Sequence, residues 1–401
     1  MPDLGDSLDA SVVPAGVRAI IEALRLDQPA QPLPELSSQD LAFADREHLT
    51  PLLSRYPLAE SNREYAESAL ARNTLRMQRF EAAYREMADQ FEHVMLKGFT
   101  HVPDFVDEIR YRAQYDLDLY LPPALSGQAR NALLQLGYEP IGGMEHLPMD
   151  HLPTMIRKTG WQWRGDHFDP DLPAGVEVHF QFWDASTECL RVEGLDHFWA
   201  RRQGHSLDPI DKLGYAALHL TRHLLRGNVR VFHVWELARF LDTHHDAEFW
   251  RQWQRQHPPS LRRMEAISFL LAKSWFGCRA ADLAEQEIGA LPQQVHRWFE
   301  IYAWSPLESS FRPNKDELWL HTSLLDSSLD CWEVLRRRLI PASLPGPVSA
   351  IHTPEDQMNA ARRLGRALGN ARYAAARAAY HARVFIPTLI EGLRWRFRSR
   401  A

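Results

Sequence analysis

Gln114-Tyr115-Asp116-Leu117-Asp118-Leu119-Tyr120-Leu121 is a short apolar run interrupted by two carboxylates two residues apart. Leu117, Leu119 and Leu121 alternate with Asp116, Asp118 and Tyr120, the period of a strand with one face on a core. Both aspartates then project from the opposite face, with Cβ atoms about 7 Å apart along the strand. At that separation they can share one or two hard cations through oxygen ligands. A solvated edge strand is the plain alternative for this octapeptide taken alone, so the flanking chain decides.

The strand sits in a chain of 401 residues, long enough for two or three domains and a sizeable core. A formal net charge of -6 makes no overall case for nucleic-acid binding, which is a possible but not a favoured partnership. Cys189, Cys278 and Cys331 are far apart, without metal-ligand or Cys-x-x-Cys spacing, and fit free thiols in a reducing compartment. Met1 to Val13 carries Asp3, Asp6 and Asp9 and no basic stretch followed by an apolar one, so no signal peptide is expected. No window approaches 18 uninterrupted apolar residues, so no membrane span is expected either. The expected location is cytoplasmic.

Upstream, residues 1–90 read as helices: Ala15 to Leu26, then Gln39 to Ser54 with a cap at Ser37 or Ser38, then a long helix from Ser61. In the last, Tyr65, Ala69, Met77, Phe80, Tyr84 and Met87 fall mostly at spacings of three, four and seven, and the Glu and Arg of its other face read as solvated surface. Val94-Met95-Leu96 is a short strand that ends at the turn Lys97-Gly98, and Phe99 to Arg112 is mixed. Beyond the Asp-Leu-Asp strand, Ala124 to Leu136 reads as a helix closed by Gly137. Tyr138 to Ile141 reads as a strand turning at Gly142-Gly143, and Met144 to Pro153 is irregular and carries His146 and His151. Ile156 to Phe168 and Gly175 to Trp183 read as two further strands. In the second, Val176, Val178, Phe180 and Phe182 alternate with Glu177, His179 and Gln181, so another carboxylate projects from the polar face of a strand.

From Leu190 the pattern is helical. Leu213 to Leu225 and Phe232 to Leu241 pair through Gly227-Asn228, Pro341 to Pro347 is a loop, and Glu355 to Ala379 and Phe385 to Phe397 make the last helices. Residues 361–401 hold ten arginines against one acid, Glu391, which reads as a solvated helical face or as a site for an acidic partner, nucleic acid or lipid headgroups.

In order and spacing, Leu96-Lys97-Gly98, Arg112 ahead of Asp116-Leu-Asp118, and Glu177-Val-His179 on a later strand resemble an uncharacterised nucleotidyltransferase family of the polymerase-β-like superfamily. Leu136-Gly137-Tyr138, Leu218-His219 to His223 and Trp235-Glu236-Leu237-Ala238 extend the resemblance over Val94 to Asp242. It implies an α+β fold: a small mixed β-sheet nucleotidyltransferase core at 91–200, a helical region at 1–90 and a C-terminal helical domain at 201–401. It also implies a Mg²⁺-dependent transfer of a nucleoside monophosphate, AMP from ATP foremost, to a hydroxyl acceptor with release of pyrophosphate. The acceptor is a small molecule, a peptide or a protein. On this resemblance Asp116, Asp118 and Glu177 are the catalytic and metal-holding carboxylates, for two Mg²⁺ ions with Mn²⁺ as the alternative. Glu177 would also take the acceptor's proton, while Lys97, Gly98, Arg112 and His179 serve the nucleotide and its phosphates.

Two positions depart from the pattern. Lys97-Gly98-Phe99-Thr100 stands where the superfamily carries a Gly-Ser turn, and Glu stands at 177 and 236 where the family often has Asp. His219 and His223, one helical turn apart, read as a metal pair, as interhelix packing or as contacts to the nucleotide. Two alternatives to nucleotidyl transfer follow: a catalytically inactive nucleotide-binding or partner-binding protein on the same fold, and a metal-dependent glycosyltransferase. The second needs a nucleotide-binding βαβ unit ahead of its Asp-x-Asp, where this chain is helical.

Overall fold

A computed structural model describes residues 8–141, 151–339 and 359–398. Five short strands, β1 (Val94–Met95), β2 (Asp116–Tyr120), β3 (Glu139–Pro140), β4 (Met155–Ile156) and β5 (Gly175–His179), form one mixed sheet in the order β1-β2-β5-β4-β3. Its centre is parallel: β2 pairs β5 with Asp118 opposite Glu177 and Tyr120 opposite His179, and the remaining pairs are antiparallel. A parallel pair needs a long crossover, here the chain from Leu121 to Ala174. Pro140 sits on the outermost strand, where a missing N–H costs no ladder bond.

The alternation in β2 and β5 sorts the two faces as the sequence indicates. Leu117, Leu119, Leu121, Val176 and Val178 enter a small core with Met77, Phe80 and Met87 of a long helix and with Ala129 and Leu133 of a shorter one. The long helix is the fourth of the chain. Ahead of it stand α1 (Ala15–Ala23), α2 (Ser38–Arg46) and α3 (Thr50–Leu53); it is α4 (Glu60–Ala88), and the shorter one is α5 (Ser126–Gln135). On the opposite face Tyr120 joins a second, larger core, stacking on Phe182 at 3.7 Å. That core is built by the helices Pro209–Arg226, Val231–Thr243 and Pro259–Phe276, which pack on one another, and it also takes Val17 and Ile20 of α1. The α+β architecture is therefore a small sheet with helices on both faces.

Local chemistry explains the helix limits. Ser37 and Asp40 form a reciprocal capping box at the start of α2. Asp208 caps Ile210 N at 3.0 Å, Pro209 opens the next helix, and Gly227 ends it at φ 68°. The single helix expected over Gln39 to Ser54 is two, because His48 takes a positive φ of 65° between them.

Other boundaries differ too. The strand expected over Ile156 to Phe168 exists only at Met155–Ile156, since Gly160 and Gly165 take φ of 79° and 87° and Trp161 Nε1 donates to Asp169 Oδ2 at 2.9 Å. The strand expected to Trp183 stops at His179, and Asp184 caps a short helix that follows. Two expected C-terminal helices are one, Ala360–Arg398, running through an exposed Pro387. The Gly142-Gly143 turn, His146, the loop 341–347 and the expected helix start at Glu355 lie outside the described residues.

The solvated face expected on α4 is not all solvated. Arg76 is fully buried: its Nε donates to Gln114 O at 2.9 Å, its Nη1 to His167 O at 2.6 Å, and it lies over the Tyr115 ring. Asn73 donates to Arg110 O and Arg112 O. These two side chains tie the segment before β2 to α4, so the strand enters the sheet at a set height.

Within the bundle His257 bridges two carboxylates, Nε2 at 3.2 Å from Asp211 Oδ1 and Nδ1 at 2.8 Å from Glu265 Oε1, all with no side-chain exposure on His257 or Asp211. Burial alone would depress the imidazole; Glu265 and Asp211 overcome it and push it up to about 9. A group raised above its unfolded value of about 6.5 adds stability below that pH and loses it as pH climbs through the folded value. Stability should therefore fall by about 3 kcal/mol between pH 6.5 and 9, at 1.36 kcal/mol per unit. Urea denaturation across this window measures it, with His257→Gln expected to flatten the slope; equal slopes in the two proteins would show that His257 is not the ion bridge.

Candidate active site

Leu96 separates Lys97 from β1, and its N donates to Asp118 O at 2.9 Å, which anchors the turn against the Asp-x-Asp strand. Gly98 is required there twice over. Its φ is 77°, and a Cβ would lie 2.5 Å from Gln114 Oε1. Gln114 in turn donates to Asp116 O at 2.6 Å, so the turn and the strand are coupled through one amide side chain.

From this turn Lys97 reaches back over the aspartates. Its Nζ is 3.0 Å from Asp118 Oδ2, 3.9 Å from Asp116 Oδ1 and 3.3 Å from His219 Nε2. Asp118 is buried, whereas 32% of the Asp116 side chain is exposed, which places Asp116 at the rim. Its partial burial and the neighbouring Asp118 push the Asp116 carboxyl above the usual carboxylate range. Burial would raise Asp118 too, but Lys97 and His179 override it and hold this carboxyl well below the usual range. The pair therefore keeps one firmly ionised member and one that ionises reluctantly, because a single lysine faces two carboxylates.

Glu177 and His179 arrive on the neighbouring strand. His179 Nε2 is 3.2 Å from Asp118 Oδ1 and 3.7 Å from Glu177 Oε2. Thr154, just ahead of β4, donates to Glu177 Oε1 at 3.0 Å and leaves Oε2 on the His179 side. Ligand atoms of Asp118, Glu177 and His179 lie within 4.8 Å of one another. Asp118 Oδ2 is buried without a well-directed hydrogen bond and is answered by the charge of Lys97. A buried carboxylate oxygen in that condition, among further carboxylates, suits a hard divalent cation.

Arg112 is placed differently from Lys97. It is buried, and its Nε donates to Glu236 Oε1 at 2.8 Å, an oxygen that His101 Nδ1 also approaches at 3.3 Å. Burial would raise the Glu236 carboxyl; Arg112 and His101 bring it down to about 2. Lys97, Arg112, Tyr215, His219, His233 and Glu236 line one cavity of about 20 Å³, room for a single water. The sequence thus puts Arg112 near the site, and the fold seats its guanidinium on Glu236 beneath it.

Residues from the bundle complete the arrangement. His219 Nε2 lies 3.1 Å from His223 Nε2, and His223 Nδ1 lies 3.0 Å from Asn228 Oδ1. Burial, with Lys97 next to it, holds His219 far below the usual imidazole range, and burial with Arg222 brings His223 down to about 3, so both are neutral. Among the described residues no third His, Cys, Asp or Glu joins them at ligand distance; Lys97 does. The His-x-x-x-His spacing is visible in the sequence, but nothing there links it to Lys97, and nothing marks Thr154. Among nearby aromatic residues, Tyr215 lines the small cavity, Trp235 is buried in the bundle core, and Trp163 is exposed.

The sequence model of a family described as "Uncharacterised nucleotidyltransferase" matches residues 42–277, more than half of the chain, and the chain belongs to that family. The matched range takes in α4, the sheet and the first helices of the bundle, beyond the Val94–Asp242 stretch that carries the motifs. It makes the protein a transferase enzyme with a nucleoside triphosphate as substrate. No curated protein and no solved structure matches the chain.

The Arg112–Glu236 pair generates a stability test. Glu236→Leu leaves a buried guanidinium without its carboxylate, which costs about 3–5 kcal/mol. The double replacement Arg112→Met/Glu236→Leu should recover most of the loss in urea denaturation. No recovery would mean that the two side chains do not act as a pair.

Proposed function

We propose that this nucleotidyltransferase moves a nucleoside monophosphate, AMP from ATP foremost, to a hydroxyl acceptor and releases pyrophosphate. The observation that supports it best is the register of β2 and β5, which sets Glu177 opposite Asp118 and brings Asp118, Glu177 and His179 within ligand distance beside Asp116 and Lys97. The site residues Asp116, Asp118 and Glu177 are read as the catalytic carboxylates and as the holders of Mg²⁺, or Mn²⁺ in its place. When bound, the cation would neutralise charge on the transferring and leaving phosphates.

The chain's own groups have distinct tasks in this reading. The acceptor O–H bond breaks, its oxygen bonds to the α-phosphorus, and the bond from that phosphorus to the β-bridging oxygen breaks, its electron pair leaving with pyrophosphate. Glu177 takes the acceptor's proton at Oε2, since Thr154 occupies Oε1. His179, against both Asp118 and Glu177, keeps those carboxylates oriented. Lys97 brings a fixed positive charge to the phosphates, with the backbone of Gly98 beside it, and neutral His219 steadies its ammonium. Arg112 acts from below through Glu236. The hydroxyl acceptor, whether small molecule, peptide or protein, enters from the exposed side of Asp116. A cytoplasmic location fits the three free cysteines, and no helix is long and apolar enough to cross a membrane.

One observation favours a second reading, a nucleotide-binding protein without turnover: Lys97 already sits 3.0 Å from Asp118, where a cation would go. The glycosyltransferase reading finds no βαβ unit ahead of β2, since the described residues before β1 are helices and connections.

Asp118→Asn and Glu177→Gln should each lower pyrophosphate release from ATP and Mg²⁺ by at least about 10²-fold; Glu177→Gln should keep a melting temperature close to the parent's, while Asp118→Asn lowers it because buried Lys97 loses its carboxylate. The assay offers each labelled nucleoside triphosphate with a lysate as the source of acceptor. Full activity in both variants would remove these carboxylates from the mechanism. A thermal shift with ATP and Mg²⁺, but no pyrophosphate with any acceptor, would favour the binding reading.

A further inference from the structure

The last helix, Ala360–Arg398, has 39 residues and a length of about 58 Å. It meets the body of the protein along one line: Val384, Thr388 and Trp395 are buried, Tyr302 donates to Glu391 at 2.6 Å, and Gly392 abuts Trp319. Directly opposite, Ile386, Leu389, Ile390, Leu393 and Phe397 follow at spacings of three, one, three and four, the pattern of one helical face. All five are between 45% and 72% exposed. Leu364 and Leu368 continue the same face toward the start of the helix, and alanines fill it between. Isolated exposed leucines need no explanation, but a continuous aliphatic stripe on a solvated helix does.

The charges beside the stripe indicate what covers it. Residues 361–401 carry a net +9, ten arginines against Glu391, so the chain's overall -6 leaves -15 on the residues before them. Arg383 and Arg394 border the stripe on one side and Arg396 on the other, all exposed. We infer that this helix lies on an anionic phospholipid surface, with the Ile386–Phe397 stripe in the acyl boundary and the flanking arginines on the lipid phosphates. Charge complementarity selects this occupant. A second copy of the same helix would set two arginine-rich faces together, and a nucleic acid would leave the aliphatic side chains without an apolar partner. The helix lacks an apolar window long enough to cross a bilayer, so it binds in the plane of the surface. The acidic remainder of the chain is repelled by the same surface, which turns the helix toward it.

The test uses the full chain and flotation with unilamellar vesicles. Vesicles of equal parts phosphatidylcholine and phosphatidylglycerol should carry the protein, pure phosphatidylcholine should carry at least tenfold less, and salt near about 0.5 M should weaken binding. Leu393→Glu/Phe397→Glu should lose binding at least tenfold with an unchanged melting temperature, because both side chains are exposed. Absence from anionic vesicles overturns the inference, as does equal binding of the double variant. So would a stable dimer in sedimentation equilibrium that the double variant dissociates, or tighter binding to mixed-sequence RNA than to the vesicles.

Discussion

The parallel pairing of two five-residue strands holds the site together. Side chains alternate along a strand, so sliding β5 by one residue against β2 would turn Glu177 and His179 into the core of α4 and α5 and bring Val176 and Val178 to the aspartates. That register is fixed from outside the pair. Arg76 and Asn73 of α4 hold the chain from Arg110 to Gln114, Leu96 N bonds Asp118 O, and Gln114 spans from Gly98 to Asp116. A long helix whose buried arginine caps backbone carbonyls thus sets where two carboxylates stand, although it offers no side chain to the chemistry itself.

Two ion pairs stand beside the carboxylates, Lys97 with Asp118 and Arg112 with Glu236, and pairing offsets the cost of burying such charges. The Arg112–Glu236 pair and the neutral His219 and His233 form a floor beneath Lys97. Since Glu236, His219 and His233 come from the helical bundle and the carboxylates come from the sheet, the site exists only where the two meet. At the same juncture Tyr120, on the face away from the sheet's own core, stacks on Phe182.

Charge is also divided along the chain. Residues 1–360 carry the chain's net negative charge while the substrate is itself polyanionic, which makes the positive charge of Lys97 the more consequential. The basic surplus is confined to residues 361–401, nearly all of them in the last helix.

Alternation alone determined which residues of 114–121 and 175–179 face a core, and helical periodicity determined α4, the Pro209–Arg226 helix and the Val231–Thr243 helix. Those are local properties, carried by side-chain spacing and by caps such as Asp208 and Gly227. The Lys-Gly turn and the three carboxylates were legible for the same reason, together with the family resemblance of their order. Alternation and periodicity failed at Ile156 to Phe168, where glycines and the Trp161–Asp169 bond bend the chain away from the sheet, and at Arg76, whose charge reads as solvated until α4 is packed. Only the tertiary structure could seat Arg112 on Glu236, 124 residues away, bring His219 to Lys97 across 122 residues, and place Thr154 on Glu177. Partners that distant leave no periodic trace in the sequence, because what joins them is the packing of a sheet against a bundle.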